Sequence, residues 1–360
     1  MTPWIQRSAE IWAMQRSIHF VGSLPPDLST SPRQAMEWIL DHARGHRLIS
    51  LPCDLDPNWV IAYLRDLAER EAFEIKRAGE YADYDDMRTH GVRRGRRLRP
   101  DDVSMRRADR LREIVDEFRA LRAERPEIAD TRLQISLPSP LDLAIFAFAG
   151  RPWLSLRYLP VFTQAVVDEV ADLAAYAGPD VVWQLETPSV LIGMDMARRA
   201  PGGPALAARL MARQVASLIA RFPDDAQVIL HLCYGNYRNT EMFAPRDLGS
   251  AVRYLNLLAD ALRRRGRRLP PVHLPAAYGA HPAPRTEAFY RPLSGLAPKW
   301  QVIAGIAAAA DPAGGVESLR LFEAAAGRNA YAVATACGLG RHTTDEAEQA
   351  VRAMTAAADA

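Results

Sequence analysis

The chain has 360 residues, 49% of them hydrophobic and 24% charged, with a formal net charge of only +2. That near balance argues against a dedicated nucleic-acid binder, which carries a strongly basic face. Three cysteines, Cys53, Cys233 and Cys337, are too few and too odd in number for a disulfide framework. The first residues, MTPWIQRSAEIWAMQRS, lack the apolar core of a secretory signal. No apolar run approaches the length of a membrane span. The expectation is a soluble, cytoplasmic chain.

Short apolar runs alternate with longer amphipathic ones. The candidate strands are SIHFVGSLP (17–25), RLISLPC (47–53), RLQISLP (132–138), VVWQLE (181–186), QVILHLC (227–233), PVHLPA (271–276), WQVIAGI (300–306) and AYAVATAC (330–337). They are apolar nearly throughout, as parallel strands covered on both faces must be. Helical spacing of apolar residues recurs in 205–222, 247–265 and 343–357, the last with Thr343 or Thr344 as N-cap. Eight strands followed by helices predict one α/β domain over 1–360, a (β/α)₈ barrel, with an open doubly wound sheet as the alternative. The longest break, 54–131, reads as a helical, Arg-rich insertion after the second strand, placed as a lid over the active face. Its arginines at 93–99 are expected to pair with Asp83, Asp85 and Asp86 or to clamp a polyanion. The run RRRGRR (263–268) reads as a solvated helix end with a glycine stop.

The fifth strand ends in HLCYGN (231–236). Strand side chains alternate between faces, so His231 and Cys233 point the same way, inward in a barrel. The eighth ends in Cys337, followed by the glycines of CGLGR (337–341). Two strands ending at one rim bring the three residues together, and imidazole with two thiolates suits Zn²⁺. Three protein ligands leave one position open, the mark of a catalytic site.

Together HFVGSLP (19–25), HLCYGN and CGLGR resemble the catalytic barrel of cobalamin-independent methionine synthase and its shorter relatives, including the epoxyalkane:coenzyme M transferase group. The resemblance spans almost the whole chain, in the same motif order. It implies a zinc ion held by His231, Cys233 and Cys337, to which a substrate thiol binds as thiolate. The metal lowers the thiol's pKa, and the sulfur attacks a methyl group or an epoxide carbon.

Several positions depart from that family. The chain is too short for the N-terminal barrel of the synthase. Its sixth-strand glutamate ligand has no counterpart in VHLPAA, where His273 stands as the candidate fourth ligand or as a hydrogen-bonded core histidine. Glu186, in WQLETP (183–188), is the carboxylate expected in the pocket, to bind an ammonium group, act as general acid, or pair with a rim arginine. PCDLDPNW (52–59) brings Cys53, Asp54 and Trp59 beside the pocket where short relatives carry an acidic turn; Cys53 is expected as a packed thiol, with an extra metal ligand as the alternative. The seventh strand has alanines where short relatives place a histidine, so proton transfer would fall to His342 or be done without. The Gly22–Ser23 turn can bind a carboxylate, and the family uses the matching pair so. Tyr234 and Asn236 can donate hydrogen bonds to substrate, and the Arg341 fork suits a carboxylate or sulfonate.

Three functions follow as alternatives. The first is a zinc-dependent alkyl- or methyltransferase acting on a homocysteine-like thiol. The second is a zinc-dependent thiol–epoxide transferase or carbon–sulfur lyase. The third is a non-catalytic or nucleic-acid-binding barrel that uses the arginines. The expected partners are a small-molecule thiol and an alkyl donor or electrophile, with neither membrane nor nucleic acid, and self-association into a homo-oligomer is left open.

Overall fold

The computed structural model describes residues 16–53, 58, 60–82 and 85–360. Asp54, Trp59 and Asp83 lie outside them.

Among the described residues ten strands run along the chain: β1 (Ser17–His19), β2 (Leu51–Pro52), β3 (Phe73–Arg77), β4 (Thr89–Val92), β5 (Leu133–Pro138), β6 (Val181–Glu186), β7 (Gln227–His231), β8 (Val272–Pro275), β9 (Val302–Ala307) and β10 (Ala332–Thr335). Eight of them form one parallel sheet in the order β1-β10-β9-β8-β7-β6-β5-β2, and β3 and β4 form a separate antiparallel hairpin. The outer edges of the large sheet meet through a parallel bridge, Ile18 to Leu48. There the Ile18 N–H donates to Arg47 O at 2.9 Å and the Ile49 N–H to Ile18 O at 3.1 Å. The sheet thus curls round on itself as a (β/α)₈ barrel.

All eight expected strands are present, but most leave the ladder earlier than the apolar pattern suggests. Residues 20–25, 232–236 and 336–341 are loops. They stay buried because they turn over the barrel mouth, so hydrophobicity alone could not mark where hydrogen bonding stops. The helices Gly203–Ile219, Gly249–Arg263 and Thr344–Asp359 lie close to their predicted spans. Thr343 is the N-cap of the last, its hydroxyl accepting from Glu346 N–H while the Glu346 carboxylate accepts from Thr343 N–H.

The stretch expected as an insertion divides in two. Helix Ala108–Glu124 packs between Pro32–His42 and Pro152–Ala177, the place of the ordinary barrel helix after β2. What rises over the strand ends is shorter: helix Ile61–Glu69, the β3–β4 hairpin and the single turn Pro100–Val103. The hairpin is anchored by Phe73, whose ring lies 6.2 Å from Phe148 and 6.1 Å, edge-on, from buried His90. His90 in turn donates from Nδ1 to Ala147 O at 3.0 Å.

Among the described residues none of the arginines at 93–99 lines the cavity. Arg93 donates to Glu71 O and Phe73 O, Arg96 pairs with Glu71, and Asp86 caps the Glu80 and Ala82 amides instead. The 263–268 run does end a helix at Gly266 (φ +68°), but Arg267 folds back onto Asp224 and the carbonyls of Ala220 and Phe222. No helix among the described residues is long and apolar enough to cross a membrane.

Candidate metal centre and substrate cavity

The barrel interior is layered by strand alternation. Val182, Ile229, Ile303, Ala332 and Ala334 form a small apolar cluster separate from the main core. Two residues further along β6 and β7 the side chains become polar, because inward residues recur every second position. Here a buried network begins. His19 Nε2 donates to Gln184 Oε1 at 3.0 Å, and the Gln184 amide donates to Val21 O and to Glu186 Oε1, the latter at 3.2 Å. Ser50 donates to Gln134 Oε1, and the Gln134 amide donates to Phe20 O and Val21 O. Burial pushes the pKa of His19 down to about 3, against its hydrogen bond with Gln184, so the ring is neutral at ordinary pH.

Above this layer stand His231 and Cys233. The His231 backbone is pinned on both sides: its carbonyl accepts from the Thr187 N–H and hydroxyl, and the next amide, Leu232, donates to His273 O. Gly235 takes φ +83° directly after, which lets the chain turn sharply once Cys233 has been presented. Cys337 arrives from the other side of the ring, its carbonyl held by the Thr335 hydroxyl at 2.7 Å. Gly338 then passes so close to Ser23 that a Cβ there would lie 3.0 Å from Ser23 Oγ, and Leu339 N–H donates to Ser23 O at 2.7 Å.

The ligand atoms of His231, Cys233 and Cys337 all lie within 4.8 Å of one another. A tetrahedral ion with bonds of about 2.3 Å to sulfur needs its sulfurs about 3.8 Å apart, which that spacing allows. The two thiols share a proton unequally. A hydrogen bond from Cys233 holds Cys337 well below the ordinary cysteine range, aided by His231 and by the Arg341 guanidinium, whose Nη1 lies 3.8 Å from Cys337 Sγ. The same bond, with burial, holds Cys233 well above that range. His231 is almost wholly buried and its Nδ1 has no hydrogen-bond partner. One imidazole and two thiols brought together in this way form a donor set suited to zinc.

This cluster borders a cavity of about 500 Å³. Gly22, Ser23, Cys53, Glu186, Asn236 and Arg341 all line it, so most of the residues expected there from sequence share one wall. Asn236 is buried and its Oδ1 is unpartnered. Three expectations come out differently. His273 is outside the ligand cluster: its ring stacks on His231 with centroids 4.7 Å apart, and its Nε2 donates to Thr335 O at 2.8 Å. Gly305 makes room for it, since a Cβ there would meet His273 Nε2 at 2.7 Å. Tyr234 follows Cys233 and so points to the opposite face, where it packs edge-on against Phe243 and Tyr278. His342 lies in a smaller side cavity of about 80 Å³ that shares only Asn236 and Cys337 with the main one.

Sequence reasoning did not anticipate Arg106, Arg107 and Arg110 along the same cavity. They sit at the start of helix Ala108–Glu124, a position that no strand or motif spacing marks. It also did not anticipate Asp142, which is buried and ties the helices following β5 and β6 together. Its carboxylate accepts from the Ser139 hydroxyl and from the Ser189 N–H and hydroxyl, at 2.5, 2.8 and 2.9 Å.

No protein-family model matches the sequence, and no curated protein matches it. Solved structures do. A B12-independent methionine synthase from Shewanella sp. W3-18-1, in complex with selenomethionine, is similar over 96% of this chain and 97% of its own, with a TM-score of 0.57 and 14% identity. A methyltransferase from Methanosarcina mazei aligns over 96% and 94% with a TM-score of 0.46 and 14% identity. The endoglucanase CEL6B from Humicola insolens aligns over 77% and 72% with a TM-score of 0.38 and 13% identity. The chain therefore shares its barrel fold, over nearly its full length, with a methionine synthase of the cobalamin-independent kind.

Proposed function

We propose that the protein is a zinc-dependent alkyltransferase that moves a methyl or other alkyl group onto the sulfur of an amino-acid thiol. The observation that carries this reading is the meeting of His231, Cys233 and Cys337 within 4.8 Å at the wall of a cavity. Zinc held by these three residues would lower the pKa of a substrate thiol so that a nucleophilic sulfur exists at neutral pH. The fold shared with a methionine synthase solved with selenomethionine supports the choice of an amino-acid thiol.

The chain's own residues supply the rest. Glu186, oriented by the Gln184 amide at 3.2 Å, offers its carboxylate to an ammonium group. The Gly22–Ser23 turn, held against Gly338 and Leu339, offers a hydroxyl to the substrate carboxylate. Arg341 compensates negative charge on Cys337 and holds that sulfur in place. Asn236 brings an unpartnered amide oxygen to the same cavity wall. Together these groups would orient the thiol against an incoming carbon, which lowers the barrier by holding the reacting atoms in line.

Elemental analysis of the purified protein tests the reading. Zinc near one atom per chain is expected, falling at least tenfold in Cys233→Ser and in Cys337→Ser. Unchanged metal content in both variants would sink it.

A further inference from the structure

The cavity has two unlike sides. One is built from strand ends and carries the ligand cluster, Glu186 and Asn236. The other comes from the segments after β2, β5 and β6, and there Ile61, Met105, Ile114, Phe146 and Ile192 face the space. Ile61 and Ile114 are buried, and the other three are half-buried along the cavity.

Cations sit on that second side. Arg107 is already engaged, donating to Glu169 Oε1 at 2.6 Å and to Ser136 O at 3.0 Å. Asp66, an acid of the same lining, is held by Arg70 at 2.9 Å. Arg106 and Arg110 are different: both are exposed, both line the cavity, and neither has an ion-pair partner among the described residues. Arg106 also adopts φ +51°, with its N–H donating to Ser104 Oγ at 3.1 Å. A left-handed conformation is costly for a residue other than glycine and persists where surrounding structure enforces it.

We propose that the second substrate of this cavity is an amphiphile, its apolar body lying along Ile61, Met105, Ile114, Phe146 and Ile192 with a carboxylate held by Arg106 and Arg110. This deepens the transferase reading and rests on it, because it assigns the second substrate of that same cavity. An apolar wall of this kind favours a hydrocarbon through burial, at about 0.8 kcal/mol per methylene. The two guanidinium forks then select the end that carries the charge. A purely polar donor would leave the wall uncompensated, and a neutral one would leave both arginines without a partner.

Calorimetric titration with decanoate, decanol and acetate tests the assignment without any turnover. One decanoate should bind per chain, at least tenfold more tightly than decanol or acetate, and less tightly as salt is added. The double substitution Arg106→Ala and Arg110→Ala, at exposed positions, should weaken decanoate about ten- to a hundredfold and leave decanol unchanged. Decanoate no tighter than decanol, or equal binding to the double variant, overturns the proposal. Zinc content decides the transferase reading by itself, so the two can fail independently.

Discussion

The strand-end side of the cavity and the side built by the inserted segments are assembled in opposite ways. On the first, the polar groups belong to the strands or to the short loops that follow them, and a buried His–Gln network fixes them from below. On the second, apolar side chains and two arginines with no ion-pair partner among the described residues come from helices and turns, and one aromatic seam, Phe73 against Phe148, anchors the hairpin. The difference separates two tasks. Ligand atoms must converge to within a few tenths of an ångström, which backbone ladders secure. Recognition of a second substrate needs only shape and charge, which loops can vary without disturbing the barrel.

Acid should separate the two sides most sharply. His19 is neutral in the fold down to about pH 3, whereas in the unfolded chain it takes a proton near its usual value of 6.5. The unfolded state therefore binds more protons between those limits, and stability falls as pH drops from 6.5 towards 3, by ~5 kcal/mol if the whole interval counts. Urea titrations across that range should show the loss, and His19→Gln, which keeps a donor towards Gln184, should remove most of it. An unchanged pH dependence in the variant would mean that the network beneath the site does not bear on acid stability.

The roof should yield to one substitution. Phe73→Ala removes a fully buried ring from the seam and is expected to cost about 3–4 kcal/mol. Limited proteolysis should then cut within 60–107 while the barrel keeps its circular dichroism. Global unfolding instead would show that the two sides are one cooperative unit.

Asp142 lies between the two behaviours. Burial raises its pKa to about 6, opposed by its hydrogen bonds from Ser139 and Ser189. In this interval the folded state holds the proton more tightly, so the contribution of Asp142 is greatest below about pH 4 and is lost as pH rises through 6. Asp142→Asn should flatten that slope, and Asp142→Ala should cost about 2 kcal/mol by leaving buried donors unpaired. The smallest effect is expected from Thr343→Ala, about 1 kcal/mol through loss of the cap, with zinc content untouched.

Period-two alternation and strand counting were enough to place His231 and Cys233 on one inward face and Cys337 at a second strand end. The Thr343 cap and the glycine stop at 266 were equally legible, because capping depends on residues within one turn of each other. The same alternation turns Tyr234 outward, since it directly follows Cys233. The fate of His273 was not legible: a carbonyl sixty-two positions away, Thr335 O, takes its N–H.

What the sequence by itself determined is the barrel and the strand ends that carry a nitrogen and two sulfurs. Both follow from short-range periodicity, which a linear chain records directly. Tertiary structure alone decided that helix Ala108–Glu124 closes the ring of barrel helices, that Arg106 and Arg110 reach the cavity, and that His342 is set aside from it. Those outcomes depend on distances between segments far apart in the chain, and no local pattern of residues encodes such distances.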